Sequence, residues 1–384
     1  MSTPAKLVRV GIVGFGTVGR AVAELLASRQ HDITRRCGAR VQISIVCRRG
    51  EIPAACIPSG AAAVHDWHEV VASRQVDLVI ETMGGTSAAR ELAVSAIEHG
   101  KALVTANKNL IAAHGEQLMR LAAIQNMPLG FEAAVAGGIP VIRAIAEGTA
   151  ADRLRAVYGI LNGTANFILT RMQSQGEEFA AALAEAQRLG YAERDPSADV
   201  DGIDARDKLA ILARLAFGVR VLPTSIPTTG IRGLSAIDME YARKLKSVIR
   251  LVGAAEFTDA GLALSVRPWL VPERMMLAKV EGVNNAVFIE GERVGTQMFY
   301  GPGAGGDATA VAVLSDVMEI ATDWAAGRVS AKFAAGFLPT HELPLCRVPA
   351  PVPWYMRLII RDRPGVLARI AAVLAEQNIN IDFV

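Results

Sequence analysis

The chain has 384 residues, 51% hydrophobic and 20% charged, enough for two or three domains with cores of their own. A net charge of +2 gives no electrostatic case for a nucleic-acid partner, and no apolar run is long and uninterrupted enough for a membrane span. The four cysteines (Cys37, Cys47, Cys56, Cys346) lack C-x-x-C spacing and the N-terminus lacks a secretory signal, which favours reduced thiols in the cytoplasm over disulfides or a zinc site.

In chain order, "LVRVGIVGFGTVGRAVAELLAS" predicts a strand over Leu7 to Val13, a glycine turn and a helix. Within "GFGTVG", Gly14, Phe15, Gly16, Thr17, Val18 and Gly19 spell G-x-G-x-x-G. The first glycine permits a tight turn, the second lets backbone approach a pyrophosphate, and the third allows close helix–strand packing. The helix N-terminus then offers free N–H groups to phosphate. "GPGAGG" at 301 to 306 has the same spacing but no later strand to complete a βαβ unit. It reads as a turn starting a helix from Thr309.

The next strand, "VQISIV" at 41 to 46, runs into Cys47, Arg48 and Arg49. An NAD site usually has an acid here, whereas guanidinium groups suit a 2′-phosphate, so NADP is favoured and NAD stays open. Against that, the arginines could merely end a surface strand. His65 and His68 with Asp66 and Glu69 suggest a metal, but nothing completes a coordination shell. "VDLVIETMGG", "AARELAVSAIEHG" and "ALVTANK" continue the strand–helix alternation. The fold class is α/β, a Rossmann-like doubly wound parallel sheet. Thr82, Met83 and Lys108 fall at the carboxyl ends of its strands, where ligands bind.

The pattern changes near residue 140. "RLRAVYGILNGTANFILTRM" predicts strand then helix, and "GEEFAAALAEAQRLG" an amphipathic helix. The acidic "ERDPSADVDGIDARDK" follows, at 193 to 208. Read as an EF-hand from Ser197, it has Asp199, Asp201 and Gly202 in place but Lys208 where a bidentate Glu is needed. That excludes a calcium loop. Asp204, Lys208, Leu212 and Leu215 share one helix face, so a charged pair runs into an apolar stripe. A solvated surface and a partly buried site both remain open on this pattern.

Together "GIVGFGTVG", "VTANK", "FEAAVAGGIPVI", "GILNGTANFIL", "GYAERDPSADVDGIDARDKLAILA" and "GPGAGGDATA" resemble homoserine dehydrogenases, in the family's order over residues 7 to 345. The resemblance implies NAD(P)-dependent interconversion of L-homoserine and L-aspartate 4-semialdehyde, in the pathway to threonine, methionine and isoleucine. It implies Lys208 as catalytic acid/base, Asp204 beside it and Lys108 as a second lysine near substrate and nicotinamide. Glu193 matches the glutamate that binds the substrate amino group. Asp199 is grouped with it at the substrate, its role the most open. Glu132, Val135, Gly137 and Ile139 match a sodium or potassium site built mostly of carbonyls. Gly303 matches a glycine approaching the cofactor, and Arg48 a position that favours NADPH.

The expected organisation is a nucleotide-binding domain over 1–140, completed by a helix from 308–345. An α+β catalytic and dimerisation domain spans 141–307, a proline-rich linker 341–353, and a partial ACT-like βαβ segment 354–384. The family also suggests a homodimer or higher homo-oligomer. The sequence stops within the ACT pattern, through truncation, as a short form, or for completion by dimer pairing, so weak or no threonine inhibition is expected. A competing reading is another amino-acid-pathway dehydrogenase such as aspartate-semialdehyde dehydrogenase. That chemistry needs a cysteine nucleophile, and all four cysteines lie outside the site motifs. A non-catalytic nucleotide or amino-acid sensor would leave Lys108, Lys208 and Glu193 without a joint purpose.

Overall fold

A computed structural model describes residues 6–328, 337–339, 345–346, 353–382 and 384. The chain divides into two compact units, 1–350 and 351–384.

The first unit begins with six parallel strands: β1 (Lys6–Val13), β2 (Ala39–Cys47), β3 (Ala62–Val64), β4 (Leu78–Glu81), β5 (Ala102–Thr105) and β6 (Leu129–Gly130). Their order is 3-2-1-4-5-6. Helices α1 (Thr17–Cys37), α2 (Trp67–Ala72), α3 (Ser87–Glu98) and α4 (Lys108–Ile124) connect them. Alternate strand residues face opposite ways, and both faces are covered, which is why the strands read as near-continuous apolar runs. Val8, Val10 and Ile12 pack with Val22 and Leu26 of α1, whereas Val13, Val79 and Leu103 pack with Val70, Leu92 and Leu110. The order reverses between β1 and β4, so the binding crevice opens at their carboxyl ends.

A short 3₁₀ turn (Glu132–Ala134) and a one-turn helix α5 (Val141–Arg143) lead out of this sheet. The second sheet contains β7 (Leu154–Ile160), β8 (Ser247–Thr258), β9 (Gly261–Pro272), β10 (Asn284–Gly291) and β11 (Gly295–Pro302). Its order is β11-β10-β7-β8-β9-β12, antiparallel except where β12 (Leu345–Cys346) joins β9 in parallel. Between β7 and β8 lie α6 (Gly163–Gln175), α7 (Phe179–Arg188), α8 (Ser197–Val200), α9 (Ile203–Phe217) and α10 (Ala236–Lys244). Leu209 and Leu212 of α9 and Leu169 of α6 pack with Leu251, Val266 and Val287 on one sheet face, in the same core that runs beneath the first sheet. The other face carries Ile160, Val252, Ala286 and Phe288. Helix α11 (Gly306–Ala325) returns to the first sheet, where Val313, Val317 and Ile320 join the core of β1 and α1. It starts at Gly306, three residues before the expected Thr309, because Gly305 at φ 113° turns the chain directly into it.

In the second unit, helix α12 (Val366–Glu376) follows a turn at Gly365. The strands expected on either side are not formed among the described residues, although Trp354, Ile359 and Ile360 supply strand-type side chains. An extended segment becomes a strand only when a neighbour takes up its N–H and C=O groups. Of the expected linker, only Leu345, Cys346 and Pro353 lie among the described residues.

Candidate active site

The glycine loop is tied between two strand ends. The Gly14 and Phe15 N–H groups both donate to Cys47 O at 3.0 Å, and Thr82 Oγ1 donates to Gly14 O at 2.8 Å. Gly14 has φ 98°, and a Cβ there would lie 2.4 Å from the Thr82 carbonyl carbon. Gly16 is different: the protein comes no closer than 4.0 Å to a Cβ at that position, and no side chain caps α1. The space before Thr17, Val18 and Gly19 is therefore open to a ligand with N–H groups facing it. Arg48 is exposed, next in sequence to the carbonyl that anchors this loop. The Met83 N–H donates to Glu81 Oε1 at 2.7 Å, and Thr105 Oγ1 donates to Glu81 Oε2 at 2.5 Å. Burial pushes the Glu81 carboxyl up, against the pull of these donors.

A buried lysine–aspartate cluster draws on both parts of the first unit. Asp204 lies in the first turn of α9, where the macrodipole favours an acid, and Lys208 lies one turn further along. Lys208 Nζ donates to Asp204 Oδ2 and to Leu161 O, each at 2.8 Å. Lys108 opens α4, the helix end that disfavours a cation. Asp204 compensates: its Oδ1 lies 2.6 Å from Lys108 Nζ. The two charges form a close ion pair. Burial alone would raise the Asp204 carboxyl, but Lys208 and Lys108 outweigh it and hold the group well below the usual carboxylate range. Burial also works against the charge on Lys108, and Asp204 outweighs it, so that ammonium is held above its ordinary value. Asp199 is pushed up, first by burial, against an Asn162 hydrogen bond.

The acidic stretch separates into different tasks. Asp199 and Asp204 turn inward, both bonded to Asn162 Nδ2 at 2.6 and 2.8 Å. Asp201 pairs with Arg232, Asp207 with Arg206, and Asp195 accepts the Ser197 N–H and hydroxyl. Glu193 is exposed, and among the described residues its carboxylate has no hydrogen bond or ion pair. The face of Asp204, Lys208, Leu212 and Leu215 is buried throughout. Asp66 caps α2 through the His68 N–H at 3.0 Å, and His65 Nδ1 lies 2.9 Å from Arg48 O, so the two histidines have separate partners.

The expected cation loop packs against the second glycine loop. Ala136 and Gly137 have φ 58° and 54°, two consecutive left-handed residues. A Cβ on Gly137 would lie 2.8 Å from Gly303 O. Val135 and Gly137 are buried, and their carbonyls accept no hydrogen bond among the described residues, while Ile139 O accepts the Val141 N–H at 2.8 Å. Glu132 Oε1 and Oε2 accept the Ile142 and Arg143 N–H groups, each at 2.9 Å. Gly303 owes its lack of a side chain to Asn285, whose amide lies 2.1 Å from where a Cβ would stand.

Three residues escaped the sequence reading. Asn162 and Asn285 frame the Lys208 acceptor: Asn285 Nδ2 donates to the same Leu161 O at 3.0 Å. Asp316 of α11 accepts the Glu132 N–H at 2.9 Å. An Asn at a strand–helix junction signals a helix cap, and an acid inside the apolar "AVLSDVMEIA" signals a buried partner. Neither pattern says which partner.

A doubly wound sheet with an open glycine loop, beside a buried lysine–aspartate centre, defines a class: a dinucleotide-dependent oxidoreductase. Comparison with known proteins makes this particular. A family model for homoserine dehydrogenase matches residues 140–318, one for the homoserine dehydrogenase NAD binding domain residues 14–132, and one for the ACT domain residues 355–384. The homoserine dehydrogenase of Neisseria gonorrhoeae is 42% identical over 382 residues, covering 98% of this chain and 87% of the relative. The crystal structure of a homoserine dehydrogenase from Thiobacillus denitrificans has a TM-score of 0.90 at 39% identity, covering 98% of this chain and 88% of that one. A hyperthermophilic archaeal homoserine dehydrogenase in complex with NADPH has a TM-score of 0.68 at 28% identity, covering 82% and 97%. The chain belongs to the homoserine dehydrogenase family. Its activity is the reversible, nicotinamide-dependent reduction of L-aspartate 4-semialdehyde to L-homoserine, in the aspartate pathway.

Proposed function

We propose that Lys208 carries the proton step of this reaction, with Asp204 and Lys108 completing its centre. The observation that carries the reading is the shared buried carboxylate: Lys208 and Lys108 both contact Asp204, one from each part of the first unit. A bound nicotinamide supplies or takes the hydride. Reduction leaves an alkoxide, and an ammonium at Lys208 can stabilise that oxygen and protonate it. Asp204 stays ionised and keeps the ammonium oriented. Lys108 adds positive charge where the cofactor crevice meets the substrate. Glu193, exposed and without an ion pair among the described residues, suits the substrate's ammonium, with Asp199 grouped with it at the substrate.

NADP is the proposed dinucleotide, on the exposed Arg48 beside the glycine loop, and the archaeal relative's NADPH complex supports it. Sodium or potassium fits the loop of Glu132, Val135, Gly137 and Ile139, since two buried carbonyls there accept no hydrogen bond among the described residues. A second copy of the chain is the proposed cover for the outer face of the second sheet. Tyr158, Trp269 and Met298 are half-buried on it, and Tyr158 stacks on Phe288 at 5.2 Å. Free Cys37, Cys47 and Cys56 suit the cytoplasm, and no helix among the described residues is long and apolar enough to cross a membrane.

Steady-state rates test the central role. Lys208→Ala should lower kcat for homoserine oxidation by roughly 10²–10⁴-fold, the usual size of an acid–base contribution. Turnover near the unsubstituted rate would reject it.

A further inference from the structure

Asn162 stands between β7 and α6 with its side chain buried. Oδ1 accepts the Ala165 N–H at 2.7 Å and caps α6. Nδ2 donates one hydrogen to Asp199 Oδ1 at 2.6 Å and the other to Asp204 Oδ2 at 2.8 Å. The amide orientation is fixed by these partners, because the N–H of Ala165 needs an acceptor and two carboxylates need a donor. Asp204 Oδ2 is also the oxygen that takes Lys208. Asp204 is buried and Asp199 partly so, and two ionised carboxylates held on one amide would repel one another without a donor between them.

From this geometry we infer that Asn162 is a positioning residue for proton transfer, its amide nitrogen fixing Asp199 and Asp204 relative to Lys208 in addition to capping α6. The inference rests on the reading of Lys208 as the proton-transfer group. Capping alone does not call for Asn, since Ser and Asp cap helices about as well. Neither can replace the bridge. Ser has a single O–H on a shorter side chain, and an ionised Asp has no donor and adds a third negative charge.

The test uses Asn162→Ser and Asn162→Asp in the full chain, with Lys208→Ala alongside. Homoserine oxidation is followed from about pH 6 to 10, with NADPH binding and thermal unfolding as checks on folding. Both variants should bind NADPH and unfold cooperatively. kcat should fall about 10-fold in Asn162→Ser and about 10²-fold in Asn162→Asp, with the KM for homoserine changed less than about threefold, as misplacement of a reacting group predicts. The acid limb of kcat should move to higher pH in both, and further in Asn162→Asp, because a lost donor and an added anion both favour proton retention. If Asn162→Asp does not fold, the Ser variant decides alone. Unchanged kcat and pH profile in the folded variants, with Lys208→Ala inactive, would reduce Asn162 to a cap and overturn the inference. A fully active Lys208→Ala would overturn the reading beneath it, and the inference with it.

Discussion

Two buried polar clusters in the first unit differ in their balance of charge. Around Asp204 and Asp199 stand two lysines and the neutral bridge of Asn162, and Asp204 is held in its ionised form. Around Asp316, a single guanidinium, Arg143, faces three acids: it contacts Asp316 at 3.0 Å and Glu319 at 2.8 Å, and its own N–H bonds Glu132. There burial, aided by the neighbouring acids, pushes Asp316 up to about 8 and Glu132 up to about 7. Where two lysines face Asp204, that acid is ready as a counter-ion, while burial still pushes Asp199 up. Where one guanidinium faces three acids, positive charge is short, and in the loop of Glu132 the buried Val135 and Gly137 carbonyls accept no hydrogen bond among the described residues. The first arrangement suits proton transfer, and the second suits a bound monovalent cation.

The sharpest way to break this contrast is Asp204→Asn. It leaves two lysines at a buried site without their counter-ion, which should cost about 3–5 kcal/mol in urea unfolding. The sign with pH is fixed. The Asp204 carboxyl is depressed in the folded state, so its contribution is present above its unfolded value of 3.8 and is lost as pH falls below it. The Lys108 ammonium is raised, so its contribution is present below 10.5 and lost as pH rises beyond that. Urea midpoints measured down to about pH 3 should decline less steeply in Asp204→Asn than in the unsubstituted chain.

The acid-rich cluster is tested by salt identity. At matched ionic strength, sodium or potassium should raise the thermal midpoint by a few degrees over tetramethylammonium, since a ligand that binds only the folded state stabilises it. Equal midpoints in all three salts would remove the cation from the account.

Arg48→Ala should lower the preference for NADP over NAD by roughly 10-fold in kcat/KM, the loss of a charge-assisted contact to the 2′-phosphate. The smallest effect belongs to Asp201→Ala. It breaks an exposed pair with Arg232, so stability should change by less than about 1 kcal/mol and activity should hold. A large loss of activity there would mean that the acidic stretch works as a whole rather than through its inward-facing members.

Much of this was legible in the sequence for a physical reason. Apolar β-branched runs, the glycine spacing and the strand–helix alternation are local patterns, and they point to the doubly wound sheet; the i, i+4 pair of Asp204 and Lys208 is local too, but only the structure decides that its face of α9 is buried. What stayed hidden was long-range. Lys108 meets Asp204 from nearly a hundred positions away in the chain, and Asp316 reaches Glu132 from α11. The Asn285 amide packed where a Cβ of Gly303 would stand is likewise a contact between distant positions. The strands expected beside α12 depend on partners that local pattern cannot supply.

The central claim is that an ammonium at position 208 moves the proton, and chemical restoration tests it most directly. Lys208→Cys should lose roughly 10²–10⁴-fold in kcat for homoserine oxidation. Treatment with 2-bromoethylamine, which rebuilds an amine of nearly lysine length, should restore most of that loss, while iodoacetamide should not; the unsubstituted chain, treated alike, controls for the other cysteines. Full turnover in untreated Lys208→Cys, or equal recovery with the neutral reagent, would contradict the account.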